Sequence, residues 1–520
     1  MKRLIPVLIL AAIIMTSVIV SCVHKPNLVP VSGNFPPEVA NILIRKCAVS
    51  GCHNTASYKN SDGLLLDTWE HLMQGGVSGA EVVAYSPKYS PLLYFCNTNE
   101  ALGTVALPTM PVSTSVFPQA PLTTQEYNIL VNWIANGAPD ANGNIPFASN
   151  PDTRQKIYVT QQGCDLLAVI DAQSRLIMRY IPLSTTPDGS VAASPHDVEV
   201  SSDGKYAYVP FIEGSYVDKV DTRTDAITAY ANVGTTSGSS LDTTGSGWSI
   251  LILSPQDTSL MVTGYYDNSV VNVNTAAMAV NQSLSIDKRS GLPPGPWAYP
   301  HGVDANATFD TFYVAMQWGN TVAKYSRANN HLFYKYISVV KGQDPSSAPL
   351  GDSSSPDPHQ VQMSPDHSKY FVTCQGTAKV VVIDAHSDTI ITTIPVGAMP
   401  QEMDICESKG YLFVACMQDG TNPTPGAVGS IYVIDYNTNT VVNRIYGDFY
   451  QPHDITVDEQ DGLLYIINTN YSPSGPAPHH VTGCGPRAGW YSVYSLSTLT
   501  PADNKRYEMT YFPYACSARF

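Results

Sequence analysis

The pattern of apolar and polar positions changes near residue 150 of this 520-residue chain. Before that point apolar residues recur at helical spacing. The clearest segment, TTQEYNILVNWIANG, opens with a capping box of Thr123 and Glu126 and ends at Gly137. From residue 156 onward, short runs such as KIYVTQ and VVVIDA show the period of β-strands. The pattern therefore predicts a small all-α domain followed by a larger all-β domain.

The all-β part repeats a unit of four strands, most of which open on a turn that carries proline. The units begin near residues 155, 194, 246, 299, 357, 400 and 451. A four-stranded repeat of this length is typical of a β-propeller, so we predict seven blades. The first unit lacks its leading strand, and PYACSARF at 513–520 matches such a strand. We therefore expect residues 513–520 to form the innermost strand of blade one and to close the ring.

The repeat also carries a family resemblance. Phrases such as SPDHSKYFVTCQGTAKVVVIDAHSDTIITTIPVG resemble the YVTN-type propeller repeat across most of residues 155–520. The resemblance implies the propeller fold but says little about function, because propellers serve many functions. The expected organisation is a signal segment at 1–22, a helical domain at 32–140, a linker at 141–154 and the propeller at 155–520.

The first 22 residues, MKRLIPVLILAAIIMTSVIVSC, combine a basic start with an apolar run. Their last four residues resemble the lipobox of bacterial lipoproteins, which implies that Cys22 is acylated. An uncleaved membrane anchor is the alternative. Neither aspartate nor an acidic cluster follows Cys22. By resemblance to bacterial sorting rules, this favours an outer-membrane lipoprotein that faces the periplasm and is held to the membrane by its lipid.

The charge of the chain excludes one class of partner. The formal net charge is −15, and loss of Lys2 and Arg3 with the signal segment would leave about −17. A surface of this sign repels nucleic acid. We therefore expect no nucleic-acid partner.

The stretch KCAVSGCHNT holds Cys47 and Cys52 with four residues between them, and His53 follows directly. Two thiols followed by an imidazole are the attachment pattern of c-type haem, although Cys-x-x-Cys-His is the commoner spacing. A disulfide or half of a zinc site would use the same residues. Met110 in LPTMPV is a suitable second axial ligand because a thioether is soft and uncharged. Met73 lies in LDTWEHLMQGG, which the pattern predicts as a short helix, and is expected to pack in the core.

The surroundings of this stretch carry a second resemblance. ILIRKCAVSGCHN, GLLLDTWEHLMQGG, YSPKYSPLLYF, LPTMPV and LTTQEYNILVNWIANGAP, in that order, resemble the small cytochrome c domain of Planctomycetes and Bacteroidetes. The resemblance implies that Cys47 and Cys52 carry one covalent haem c. It also implies that His53 and Met110 are the axial ligands of the haem iron. The chain departs from the usual pattern by two additional residues between the cysteines.

Four blades open on a Pro-His pair, so four imidazoles should lie at equivalent places on one rim of the central channel. These histidines are His196, His301, His359 and His453. Imidazoles suit copper, zinc or iron, and a second transition metal in the propeller is one interpretation. The other is structural or ligand-lining, since the histidine of such a pair can hydrogen-bond the neighbouring blade. Blades three and six carry Ser249 and Gln401 instead.

Seven further cysteines leave at least one thiol unpaired. They are Cys96, Cys164, Cys374, Cys406, Cys416, Cys484 and Cys516. The pairing of these cysteines stays open at this point. One candidate pair, Cys484 with Cys516, would join the closing strand to the neighbouring blade, as suits an oxidising compartment. Cys374 and Cys416 are expected to be buried packing residues. His479-His480 lie in an insertion of blade seven that is expected to overhang the histidine rim.

These features together predict a haem-containing electron-transfer lipoprotein. Its propeller is expected to dock a redox partner protein or a small-molecule substrate. Two alternatives remain open at this point. One is a binding scaffold for a protein or a glycan in which the haem is a sensor, and the other is a redox enzyme centred on the histidine rim.

Overall fold

The computed structural model describes residues 32–113, 118–183, 194–234, 247–265, 269–285, 299–326, 332–348, 356–469, 484 and 489–519. Cys22 with the rest of the signal segment, and the His479-His480 pair, lie outside the described residues. Within the described ranges, no helix has both the length and the hydropathy needed to cross a bilayer.

Among the described residues, the α-helices all lie before residue 140, and we call residues 32–140 the helical part. Its α-helices are α1 Pro37–Ile42, α2 Trp69–Leu72, α3 Pro91–Cys96 and α4 Thr124–Ala135. α1 continues into a π-helical turn, Leu43–Cys47, which ends at the first cysteine of the KCAVSGCHNT stretch. α4 has the predicted capping box and buries Leu130 and Ile134 against the core. α3 was not predicted from the sequence.

The strands form seven four-stranded antiparallel sheets, which confirms the predicted seven-bladed all-β propeller. Blade one contains β28 Pro513–Arg519, β1 Lys156–Gln161, β2 Leu166–Asp171 and β3 Leu176–Pro182. Blade two contains β4 Glu199–Val200, β5 Tyr206–Pro210, β6 Tyr216–Asp221 and β7 Ala226–Asn232. Blade three contains β8 Trp248–Leu253, β9 Ser259–Gly264, β10 Ser269–Asn274 and β11 Ala279–Ser285.

The remaining four blades repeat this order from the channel outward. Blade four contains β12 Pro300–Ala305, β13 Thr311–Met316, β14 Thr321–Ser326 and β15 Leu332–Ser338. Blade five contains β16 Pro358–Met363, β17 Lys369–Cys374, β18 Lys379–Asp384 and β19 Ile390–Pro395. Blade six contains β20 Ala398–Cys406, β21 Tyr411–Gln418, β22 Ser430–Asp435 and β23 Thr440–Ile445. Blade seven contains β24 Pro452–Asp458, β25 Leu463–Asn468, β26 Gly489–Ser495 and β27 Tyr507–Met509.

The last strand of the chain closes the ring, as predicted. β28 pairs antiparallel with β1, and Ser517 lies opposite Tyr158. β28 also contacts β4 and β24, the innermost strands of the two neighbouring blades. The first sheet therefore joins the two ends of the propeller and covers the inner edge that β1 would otherwise expose.

The disulfide differs from the candidate pair of Cys484 and Cys516. Cys164 is bonded to Cys484, with Cα atoms 4.4 Å apart, and Cys516 is a free, buried cysteine. Cys516 lies within an apolar cluster shared by blades one and seven, whereas Cys484 is exposed and lies beside the turn between β1 and β2. The bond therefore ties the connection between β25 and β26 to blade one. Cys374 and Cys416 are buried and free, as expected.

The helical part packs on the lateral side of blades one and seven. The Ser78 carbonyl accepts a 2.9 Å hydrogen bond from the N–H of Glu508 in β27. Tyr89 contacts Tyr180 of β3, with ring centroids 5.4 Å apart. Because each blade is four strands wide, about 14 Å of sheet separates this interface from the innermost strands. The helical part and the central channel are therefore separate regions of the molecule.

Candidate functional site

The KCAVSGCHNT stretch begins inside the core of the helical part and leaves it through a short loop. Cys47 ends the π-helical turn and is buried, while Cys52 and His53 are partly exposed. The N–H of His53 donates to the Cys47 carbonyl at 3.1 Å, so the loop folds back onto the end of the helix. Both thiols are free in the structure.

The ring of His53 is oriented by the backbone. Its Nδ1 lies 3.0 Å from the Leu64 carbonyl oxygen. Because a carbonyl oxygen only accepts, Nδ1 carries the proton and Nε2 keeps its lone pair. Burial lowers the pKa of His53, which also favours the neutral ring. A histidine that binds a metal through Nε2 typically makes such a hydrogen bond with its other nitrogen.

Met110 lies on the same core as the cysteine stretch. Cys47 belongs to that core, and Met110 and Met73 both pack against it. The N–H of Met110 donates to the Phe95 carbonyl at 2.6 Å, which ties the proline-rich loop to α3. Cys47 and Met110 of the predicted haem site therefore share one core, and His53 is joined to the same stretch by its backbone hydrogen bond to Cys47.

A third thiol lies close to this site, and the sequence reasoning did not connect it with the motif. Burial raises the pKa of Cys47 to about 12. Cys96 at the end of α3 is buried in the same core, and burial together with the nearby Cys47 raises the pKa of Cys96 well above its usual range. Only the packing of α3 against the core reveals this neighbour.

The blades place one buried residue each at one level of the central channel. In blade order these are Tyr514, His196, Ser249, His301, His359, Gln401 and His453. None of them is more than 1% exposed. The five aromatic rings form a closed circle, with neighbouring centroids between 3.8 and 5.8 Å apart. The structure thus brings the four predicted histidines together inside the channel and adds Tyr514.

A β-bulge accompanies this level in several blades. The pairing of the two innermost strands shifts register at residues 301–302, 359–360 and 401–402. A bulge interrupts the strict alternation of side chains and re-aims them. In blade six, Gln401 and the next residue, Glu402, are therefore both buried beside the channel.

His301, His359 and Glu402 converge from three adjacent blades. All three are buried, and their metal-ligating atoms lie within 4.8 Å of one another. The Nδ1 atom of His359 is 3.3 Å from Oε1 of Glu402. The Nδ1 atom of His301 lies 3.2 Å from the His359 carbonyl oxygen and therefore carries a proton. Sequence reasoning missed Glu402 because blade six lacks the Pro-His pair that marks the other blades.

Gly302 allows the strands of blades four and five to approach closely. A Cβ atom at this position would lie 2.1 Å from Oε1 of Gln360 and 2.5 Å from its Cα. The hydrogen bond from His301 Nδ1 to the His359 carbonyl oxygen depends on this approach, because a side chain at residue 302 would separate the two strands.

The channel is acidic around and beyond the histidine level. Among the described residues, its carboxyl groups include Asp197, Glu199, Asp304, Glu402, Asp404 and Asp454. Burial raises the pKa of Asp197 to about 7 and that of Glu402 to about 8. Burial and three other channel carboxyls raise the pKa of Glu199 well above its usual range. Arg519 is the only lysine or arginine in the described innermost strands, so the channel favours a cation.

Four of these aspartates also hold the blades together. Asp197 accepts the N–H of Leu251 in blade three at 2.9 Å, and Asp304 accepts that of Met363 in blade five at 2.7 Å. Asp404 and Asp454 make the equivalent contacts to blades seven and one. The signal in the sequence is an aspartate one or three residues after the position of the channel ring.

Comparison with known proteins adds a fold-level similarity. No known protein family and no curated protein matches the sequence. Hydrazine synthase of Kuenenia stuttgartiensis is 18% identical over 52% of this chain and 73% of its own, with a TM-score of 0.41. A functionally unknown protein of Desulfotomaculum acetoxidans is 9% identical over 69% of this chain and 99% of its own, with a TM-score of 0.47. Dihydro-haem d1 dehydrogenase NirN, solved in complex with DHE, is 15% identical over 85% of this chain and 94% of its own, with a TM-score of 0.44. At these values the similarities carry no inference about function.

Proposed function

We propose that this protein is an electron carrier of the bacterial cell envelope that holds one haem c in its helical part. Cys47 and Cys52 would form the two thioether bonds, and His53 Nε2 and Met110 Sδ would be the axial ligands. The observation that carries the proposal is the hydrogen bond between His53 Nδ1 and the Leu64 carbonyl oxygen. It orients the imidazole and leaves Nε2 for the iron.

The residues of the helical part are suited to this role. When bound, haem iron supplies one-electron chemistry, and a thioether ligand raises its reduction potential. The buried core that contains Cys47 excludes water from one side of the site. The hydrogen bond from Met110 N–H to Phe95 holds the methionine loop against this core. With both axial positions taken, the site would carry electrons rather than bind oxygen.

The location and the partners belong to the same proposal. Acylation of Cys22 would hold the protein on the outer membrane, facing the periplasm. Leu107, three residues before Met110, is 81% exposed. An exposed apolar residue beside an axial ligand suits transient contact with a redox partner protein. The propeller would dock that protein or a small-molecule substrate.

The test is to purify the exported protein from a host that assembles c-type cytochromes and to record its pyridine haemochrome spectrum. We expect one haem c per chain, which remains attached in denaturing gels because both bonds are covalent. The Cys47→Ala/Cys52→Ala double variant should lose the attached haem. Cys96→Ala is the matched control, because this thiol lies in the same core outside the motif.

Two results would contradict the proposal. A colourless wild-type protein in which Cys47 is bonded to Cys52 would show that these cysteines form a disulfide and carry no haem. Haem that stays attached in the double variant would place the thioether bonds elsewhere.

One observation favours a binding scaffold as the second candidate. Tyr265, Tyr299 and Trp318 form an aromatic cluster next to His301, with neighbouring centroids 4.6 Å apart. Trp318 is 43% exposed, and exposed aromatic faces are common at recognition surfaces. A propeller that binds a protein or a glycan would use this cluster. This second candidate function does not depend on the outcome of the haem test.

A further inference from the structure

The arrangement of His301, His359 and Glu402 goes beyond the proposed haem function. Among the neighbouring imidazoles of the channel ring, the pair His301–His359 is the closest, with centroids 3.9 Å apart. The next separations, to His196 and to His453, are 5.1 and 5.8 Å. Glu402 adds its carboxylate on the same side of the ring. Two imidazoles and one carboxylate thus meet at one point of the channel.

The spacing of these groups fits a single metal ion. Metal bonds of about 2.1 Å place neighbouring ligand atoms about 3.0–3.4 Å apart. The distance of 3.3 Å between His359 Nδ1 and Glu402 Oε1 lies in this range. The largest separation within the group, 4.8 Å, leaves a movement of about 1 Å for side chains to close on an ion.

The hydrogen bond of His301 prepares its ring for coordination. Nδ1 donates to the His359 carbonyl, so Nε2 presents a lone pair. Gly302 keeps the two strands close enough for this contact. His53 in the helical part is oriented in the same way by Leu64.

The charge around the three residues also favours a cation. Oε1 of Glu402 is buried and accepts no hydrogen bond from the described residues. Asp197 and Asp454, whose carboxyls face the same channel, interact electrostatically with Glu402. A buried carboxylate among others is costly unless a positive charge accompanies it.

We propose that His301, His359 and Glu402 bind one divalent first-row transition metal ion inside the propeller channel. Two histidines and one carboxylate form the facial triad that non-haem iron(II) proteins use, with positions left open for further ligands. Iron(II) is therefore the ion that this ligand set fits best. His196, His453 and Tyr514 complete the ring around the site without belonging to the triad.

The test uses cobalt(II), because its X-ray absorption edge is separate from that of haem iron. The haem-loaded mature protein, with an affinity tag that lacks histidine, is stripped with a chelator and dialysed against cobalt chloride. Elemental analysis is expected to give about one cobalt per chain. The cobalt edge spectrum is expected to show two imidazoles and oxygen ligands.

Variants assign the ligands. His359→Asn and Glu402→Gln are each expected to weaken cobalt binding at least about 100-fold, since loss of a supporting group alone costs 10–100-fold. His453→Asn is the matched control, because this residue is equally buried in the same ring but outside the triad. It should keep the affinity within about threefold. Circular dichroism establishes that each variant is folded.

Several results would overturn the proposal. The proposal is wrong if wild-type protein binds less than about one tenth of an equivalent of cobalt, or if Glu402→Gln keeps the wild-type cobalt affinity. It is also wrong if His453→Asn loses as much cobalt affinity as His359→Asn. The cobalt X-ray absorption spectrum of wild-type protein tests the ligand set even if a variant does not fold. Any number of imidazole ligands other than two contradicts the triad. If the haem test fails, the same experiment is done on the haem-free protein, in which cobalt bound by Cys47 and Cys52 would be recognised by sulfur ligands in the cobalt spectrum.

Discussion

At the scale of single residues, the same device recurs at two places in the molecule. His53 and His301 both donate Nδ1–H to a backbone carbonyl. In each case the hydrogen bond fixes the ring and places the proton on Nδ1. A histidine's position can be read from the sequence, but its tautomer depends on which carbonyl lies beside it. That carbonyl comes from Leu64, eleven residues away, for His53, and from the next blade for His301.

The two methionines of the helical part should behave differently when each is replaced by alanine. Met110→Ala should keep the covalent haem, lower its midpoint potential and allow carbon monoxide to bind the reduced protein, because an axial thioether is lost. Met73→Ala should leave both properties unchanged, since Met73 only packs against the core. Redox titration and carbon monoxide difference spectra measure both effects. Equal midpoint potentials and equal carbon monoxide binding in the two variants would contradict the assignment of Met110 as an axial ligand.

At the scale of elements, the closure of the ring rests on two features. β28 joins blade one to blade seven through backbone pairing and packing. The bond between Cys164 and Cys484 ties the same two blades across a separation of 320 residues. A cross-link over so long a loop restricts the unfolded chain strongly.

Loss of this disulfide should destabilise the protein by about 2–4 kcal/mol. Cys164→Ser, Cys484→Ser and the double variant should show the same loss in denaturant unfolding, because each removes the same single bond. Peptide mapping without reductant should recover Cys164 joined to Cys484, and Cys516 as a free thiol. A linked Cys484–Cys516 peptide, or additive losses in the double variant, would contradict the pairing.

At the scale of the whole molecule, the closed ring brings acidic side chains from distant parts of the chain into one channel. The named carboxyl groups come from blades two, four, six and seven, with one or two from each blade. The assembled channel crowds them, and burial raises their pKa values. The result is a property of the ring that no single blade has.

This crowding should make the metal-free protein less stable as the pH rises from about 4 to about 7. An aspartate loses its proton near pH 4 in the unfolded chain, but near pH 7 for folded Asp197 and pH 6 for folded Asp304. In that interval the folded state binds more protons, so stability is present at low pH and is lost above it. Glu199, Asp404 and Asp454 shift in the same direction.

The measurement is thermal unfolding of chelator-treated protein at pH 5 and pH 8. We expect a midpoint roughly 5–10 °C lower at pH 8. Asp197→Asn removes one titrating proton and should reduce the difference. Groups with lowered pKa values, such as Asp140 and Asp366 with a pKa of about 2, titrate below this pH interval. A midpoint that rises between pH 5 and pH 8 would contradict the account.

The sequence was sufficient for the features that depend on local pattern. The strand period, the spacing of the repeats and the unmatched strand at 513–520 predicted seven blades and their closure, which the structure confirms. The capping box of Thr123 and Glu126 marked the start of α4. The four Pro-His pairs located the histidines of the channel, since equivalent units place equivalent residues at one level.

Tertiary structure alone decided which residues meet across blades. It joined Cys164 to Cys484 rather than Cys484 to Cys516. It also brought Glu402 to His359, through a bulge in a blade that lacks the histidine pair. The physical reason is that period and repeat arise from each blade's own residues, whereas a disulfide or a ligand set depends on distances between blades. Those distances exist only after the ring has closed.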